Sequence, residues 1–276
     1  MKKFKWSNLY LVLVFIVLYV PIGYLIMYSF SEGDAMNHYH GFTWAHYAEL
    51  FADTRMIQIV IDTLLLALLA SLLATVIGTL GALWIHRTTK PLVKNTVLSL
   101  NNILMVSPDV IIGASFLIFF TALKLPLGFG SVLLSHIAFS IPIVVLMVLP
   151  KLQEMRQSML DAARDLGSTN AQVLSRVIMP FIAPGIFSGF FMAFTYSLDD
   201  FAVTFFVTGN GFSTLAVEIY ARARQGISLE INALSGVMFL FALLLVVGYY
   251  FIQQGSARRQ AVHKAKKEAQ LNEEAH

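Results

Sequence analysis

The chain has 276 residues, no cysteine, 57% hydrophobic residues and only 13% charged ones, with a formal net charge of +3. Soluble domains carry roughly 25% charged residues, so about half the usual charge density excludes a soluble enzyme and a disordered tail alike. Without cysteine there are no disulfide frameworks, zinc–cysteine sites or thiol nucleophiles, and an integral membrane protein is what remains.

A bilayer-spanning helix takes about 20 largely apolar residues. Six stretches meet that demand, at about 9–30, 63–85, 97–123, 131–149, 181–198 and 233–252. They lack the alternation of a membrane β-strand, so the expected fold class is all-α with six transmembrane helices. The first stretch follows Lys2, Lys3 and Lys5. Its apolar run exceeds the roughly 7–15 residues of a signal core and no small-residue cleavage pattern follows, so it reads as a retained helix. The loop at 31–56 holds His38, Tyr39, His40, Trp44, His46 and Tyr47. Three histidines raise the question of a metal, but no tight repeated ligand spacing accompanies them. Aromatic rings favour the headgroup region, so the loop is expected to be interfacial and metal-free. Gly78, Gly81, Pro108, Gly113, Pro142 and Gly189 fall inside spans, where neighbouring helices accommodate them.

The connection at 150–180 is polar enough to have structure of its own. Two short helices fit, over 153–166 and 170–178. Gly167 ends the first as a C-cap and Ser168 or Thr169 starts the second. Met155, Met159, Ala162, Ala163 and Leu166 recur at three- and four-residue spacing and define one face. That face is either a docking surface or part of a plain connector. The connection at 199–232 contains a turn signal at Thr208-Gly209-Asn210-Gly211, then a short amphipathic helix over Leu215–Arg224. Residues 1–256 are taken as one transmembrane domain and 257–276 as a charged cytoplasmic tail.

Lysine and arginine set the orientation. With both termini in the cytoplasm, the inner side holds 15 of the 19 basic residues, leaving Arg55, Lys124, Arg222 and Arg224 outside. The acids divide the other way, so the +3 resolves into +9 inside, −5 outside and −1 at Asp109 within the third span. No phosphate-binding loop, H-E-x-x-H or G-x-S-x-G element occurs, and no enzyme activity is expected of the chain itself.

Asp161-Ala162-Ala163, then three residues, Gly167, then nine residues, Val177-x-Met179-Pro180 resembles the EAA motif of ABC-importer membrane permeases. Asp161, Val177 and Met179 are conservative departures from it. Leu104–Ile111, Ser197–Asp200, Phe206–Gly209, Leu215–Tyr220 and Glu230–Leu234 resemble, in order, segments of the spermidine/putrescine permeases of the PotC type. The resemblance covers nearly the whole chain. It implies a type I ABC importer permease fold in the inner (cytoplasmic) membrane. The loop between spans four and five would be a coupling helix, with Asp161, Ala162, Ala163, Gly167 and Pro180 carrying the contact to an ATPase. The implied partners are a second homologous permease, two ATP-binding subunits that hold ATP and Mg, an extracytoplasmic polyamine-binding protein and membrane lipid, but not nucleic acid. No cofactor is implied for this chain. Related importers of ferric ion, opine or phosphonate type share the pattern, and they stand as the alternative.

A polyamine path needs carboxylates for ammonium groups and aromatic faces for cation–π contact. Asp109, an intramembrane acid after Pro108, is one candidate. It either meets substrate, caps the helix restarting there, or pairs with the partner permease. Asp199 and Asp200, at the outer end of the fifth span beside Tyr196 and Phe201, are the others. They form a negative well, cap the helix end, or lock a gate.

Overall fold

The computed structural model describes residues 6–33, 36, 38–225, 229–244 and 247; these are helical apart from loops and one isolated bridge between Ser31 and Phe42. The tail at 257–276, Lys2, Lys3, Lys5 and most of the expected sixth span beyond Leu244 lie outside the described residues. In chain order the helices are α1 (Trp6–Tyr28), α2 (Ala45–Ala52), α3 (Thr54–Arg87), α4 (Pro91–Val106), α5 (Asp109–Ala122), α6 (Phe129–Glu154), α7 (Gln157–Asp165), α8 (Asn170–Val173), α9 (Met179–Leu198), α10 (Ala202–Val207), α11 (Leu215–Gln225) and α12 (Leu229–Leu244). Contacts divide them into two units, Met1–Asp53 with Arg222–His276, and Thr54–Ala221.

In the first unit α1 is apolar on every side and largely exposed from Leu9 to Met27, as a helix facing lipid or a partner must be. The loop after it is folded rather than loose. Phe30 stacks on Phe42 and Tyr47 and meets Trp44 edge-on. The His46 Nε2–H donates to the Ser31 carbonyl at 3.0 Å. Arg222 reaches Asp53 at 2.9 Å and Glu230 at 3.0 Å. Among the described residues no three His, Asp or Glu side chains gather as metal ligands.

The second unit is a bundle of α3, α6 and α9. Alanine and leucine fill α3 without a proline, so it runs 34 residues, starting nine before the expected span and reaching about 51 Å. Its His86 and Arg87 complement the helix dipole at the C-terminal end. Gly78 faces Ile141 and Val144 of α6, and Gly81 faces Val145. The two sequences advance together, so α3 and α6 run in the same direction. On the other side of Val144 lies Gly189 of α9, while Gly185 lies against Met147 and Lys151. Here the numbers advance oppositely, so α9 is antiparallel to α6. Val144 is thus clamped between two glycines, the close approach that membrane helices use in place of a hydrophobic driving force.

The expected third span is corrected. It is not one helix: α4 and α5 are bent by 107° at Ser107–Pro108. Proline removes an N–H and its ring obstructs the preceding turn, and Ser107 turns its hydroxyl back onto the Ile103 carbonyl at 2.7 Å. Because α3 and α6 are parallel, the chain between them has to recross the layer once, and α4 with α5 provides that crossing.

Two clusters make the core. Ala82, Ile85, Val148, Leu152 and Ile182 pack one end of the bundle. Leu66, Ile112, Phe120, Val132, Phe139 and Val203 pack the other, where α5 and α10 join α3 and α6. Gly113 lets α10 approach α5, since a Cβ there would lie 3.0 Å from the Val203 Cα and 2.8 Å from the Phe206 ring. Gly113→Leu is expected to expel α10 from this packing, read as trypsin cleavage at Arg222 or Arg224 beyond it. Wild-type resistance would contradict the account.

Candidate functional site

Two regions carry the residues singled out from the sequence, one at each end of the second unit. The first is the connection between α6 and α9. Its helices differ from expectation: α6 continues to Glu154, the chain breaks at Met155 and Arg156, and α7 starts at Gln157. Gly167, with φ +77°, closes α7 in a Schellman turn. Ser168 N–H donates to Ala163 O at 3.1 Å and Gly167 N–H to Arg164 O at 2.8 Å. Thr169 and Gln172 form a reciprocal capping box at the start of α8. The expected second helix then passes through a π-turn, Leu174–Ile178, into α9, making one continuous run Asn170–Leu198. Pro180 stands in the first turn of α9, where its missing N–H leaves the wider turn before it unopposed.

The single face read from the spacing divides in two. Met155, Leu160 and Ala163 turn inward onto the core. Met159 (39% exposed), Ala162 and Leu166 (87% exposed) turn outward. Asp161 is exposed beside Arg164 and accepts from Gln157 at 3.2 Å. A Cβ at Gly167 would meet nothing within 4 Å, so the glycine answers to backbone conformation and not to space within this chain. Gly167→Val is therefore expected to cost roughly 1–2 kcal/mol in the isolated permease. Gly167→Asn, which tolerates the left-handed region, should unfold near the wild-type temperature. Equal losses in the two proteins would refute a conformational cause.

The second region lies where α5, α6, α9 and α10 meet. Asp109 opens α5 at the elbow, half-buried, and its Oδ1 accepts from the Tyr196 hydroxyl of α9 at 2.8 Å. The Tyr196 ring stands edge-on to Phe139. Sequence separates Asp109 and Tyr196 by 87 positions, and the fold brings them together. Asp199 is the exposed C-cap of α9. Asp200 differs from it: its side chain is only 6% exposed. It accepts from Val203 N at 3.3 Å, Thr204 N at 2.8 Å and the Thr204 hydroxyl at 2.7 Å, fastening the start of α10. Burial by itself pushes the Asp200 carboxyl up; the nearby His136 ring and the hydrogen bonds from Thr204 outweigh it and hold the group below the usual aspartate range. Phe201 packs on Tyr220 and Phe205.

His136 escaped the sequence reading. It is fully buried within α6 and lies 3.5 Å from Asp200. The signal was available, since an ionisable residue inside an apolar span is functional by default.

The parallel and antiparallel spans, the broken helix and the polar junction where α5, α6, α9 and α10 meet define a multi-pass α-helical membrane transport permease. The chain belongs to the binding-protein-dependent transport system inner membrane component family, whose model matches residues 74–262. It is 34% identical over 247 residues to the spermidine/putrescine transport system permease protein PotC of Haemophilus influenzae, covering 90% of this chain and 96% of that one. It is 32% identical over 262 residues to the putrescine transport system permease protein PotI of Escherichia coli, covering 92% and 93%. In fold it is similar to a chain of the bacterial alginate ABC transporter in complex with alginate pentasaccharide-bound periplasmic protein. That match has TM-score 0.67 and 18% identity, over 88% of this chain and 91% of that one. It also resembles a chain of the inward-facing MetNI methionine ABC transporter, with TM-score 0.58, 19% identity, and 72% and 94% covered. The fold is that of a type I importer permease, and the chain is a transport subunit and not an enzyme.

Proposed function

We propose that this permease conducts polyamines of the spermidine/putrescine class inward as half of an ATP-driven importer. The observation that carries the reading is the Asp109 carboxylate, held at a helix break by the Tyr196 hydroxyl and flanked by aromatic rings. A carboxylate in a span is costly unless it answers a charge, and an alkyl diammonium supplies one together with methylenes for the rings. The names of the similar permeases point to the same substrate class. Asp199, exposed a turn beyond Tyr196, is a second stop for an ammonium group. Phe201, turned to Tyr220, contributes packing.

The remaining parts follow from this reading. Both termini are cytoplasmic, on the strength of the 15 basic residues assigned to that side. The exposed stripe Met159, Ala162 and Leu166 docks in an ATP-binding subunit. Two such subunits bind ATP and Mg, a second homologous permease completes the path, and an extracytoplasmic binding protein delivers the amine.

The test is uptake of labelled putrescine by the reconstituted complex in proteoliposomes. Spermidine and putrescine should compete, whereas ferric ion, an opine and a phosphonate should not. Asp109→Asn should raise KM roughly tenfold, the weight of one charge-assisted hydrogen bond. Uptake indifferent to amines, or an unchanged KM in Asp109→Asn, would overturn the reading.

A further inference from the structure

Three helices of the second unit, α6, α9 and α10, meet at one side chain, and the mechanism above makes no use of it. His136, with no solvent exposure, sits near the start of α6. Its Nδ1 lies 2.7 Å from the Ser197 hydroxyl on the last turn of α9. Its Nε2 lies 2.9 Å from the Thr204 hydroxyl in α10.

The protons can be assigned by counting. The Asp200 carboxylate only accepts, so the Thr204 hydroxyl donates to it at 2.7 Å. Thr204 Oγ1 must then accept from Nε2–H of His136. Nδ1 pairs with the Ser197 hydroxyl. The line Ser197, His136, Thr204, Asp200 is therefore satisfied at each step and runs from α9 through α6 to α10. Such a line is costly to bury and has only one register.

What it fixes is the position of its neighbours in sequence. Ser197 follows Tyr196, which holds Asp109. Asp200 follows Asp199. Both side chains assigned above to the path are thus one residue from an anchored one. A hydrophobe would fill the same volume beside Phe139, whose ring centre is 4.8 Å from that of His136, without desolvating an imidazole.

We propose that His136 is the positioning residue of the cation path, setting Tyr196 and Asp199 relative to Asp109; the proposal rests on the polyamine reading of that path. It acts through its two ring nitrogens and does not touch the substrate.

The experiment uses the full complex in proteoliposomes with labelled putrescine. His136→Leu keeps the bulk and removes both bonds. It should raise KM roughly tenfold while Vmax stays within about twofold, the fold-change of about one lost hydrogen bond. His136→Gln, whose amide can still donate to Thr204, should stay within about threefold of the wild-type KM. A purely structural histidine would instead lower Vmax and assembly together and leave KM alone, and that result would overturn the proposal. If His136→Leu does not assemble, Ser197→Ala and Thr204→Val decide it, the first removing the bond to Nδ1 and the second the bond to Nε2 together with the hydroxyl bond to Asp200, with an unchanged KM in both counting against it. Asp109→Asn separates the two claims. A raised KM there with an unchanged KM in His136→Leu sinks the positioning role alone, whereas an unchanged KM in Asp109→Asn sinks the path itself.

Discussion

Gly78→Val is expected to cost the folded permease on the order of 3 kcal/mol, the upper range for forcing atoms into a packed core. A Cβ at this position would lie 2.7 Å from the Val144 Cβ and 3.1 Å from the Ile141 carbonyl oxygen. One of these is backbone, so no rotamer change relieves the clash, and α3 and α6 have to separate. Separation also loosens α9, because Val144 meets Gly189 on its other side. The measurement is thermal inactivation of the detergent-solubilised protein, with Gly23→Ala as control. Nothing lies within 4 Å of a Cβ at Gly23, and the change there should be neutral or slightly stabilising. Comparable melting of wild type and Gly78→Val would mean that α3 and α6 do not pack as described.

The second large effect is expected at α7. Met159→Glu with Leu166→Glu should abolish copurification of the ATP-binding subunit, leaving the permease folded. Both side chains are exposed, and neither belongs to the core cluster that α7 packs against. Central apolar contacts in an interface are worth about 2–4 kcal/mol each, so losing two weakens binding by more than a hundredfold. Leu160→Glu makes the contrast. That residue faces the core with Ala163 and Met155, so it should destabilise the permease itself. If the double substitution leaves the ATPase bound and stimulated, the outward stripe is not the docking surface.

Much of this was legible in one dimension. Apolar length located α1, α3, α6 and α9, because burial in lipid demands it of every crossing. The Schellman turn at Gly167 and the cap at Thr169 were legible because both are local events within six residues. The elbow was not. Pro21, Pro142, Pro150 and Pro184 all sit inside helices of this chain, so Pro108 by itself does not announce a break. What distinguishes it is polar company on both sides, Ser107 and Asp109, which gives the freed backbone an alternative. The division of the α7 face was hidden for another reason. Ala162 and Ala163 are adjacent and equally apolar, and only the position of the core decides which one turns inward. Asp109 and Asp200 were found as acids, but their partners Tyr196 and His136 lie 87 and 64 positions away, beyond the reach of any spacing rule.

The 107° elbow has a consequence for the medium around it. The first two N–H groups of α5, on Asp109 and Val110, have no acceptor within the helix, and past Ile103, which Ser107 satisfies, the last carbonyls of α4 have no donor within theirs. Hydrocarbon would charge several kcal/mol for each, so this stretch can sit only where water or protein reaches it. A cation arriving there is never stripped to bare charge in oil. On the path proposed above it trades its hydration shell for backbone carbonyls and the Asp109 carboxylate, and the barrier it crosses is set by this polar break and not by the bilayer's full thickness.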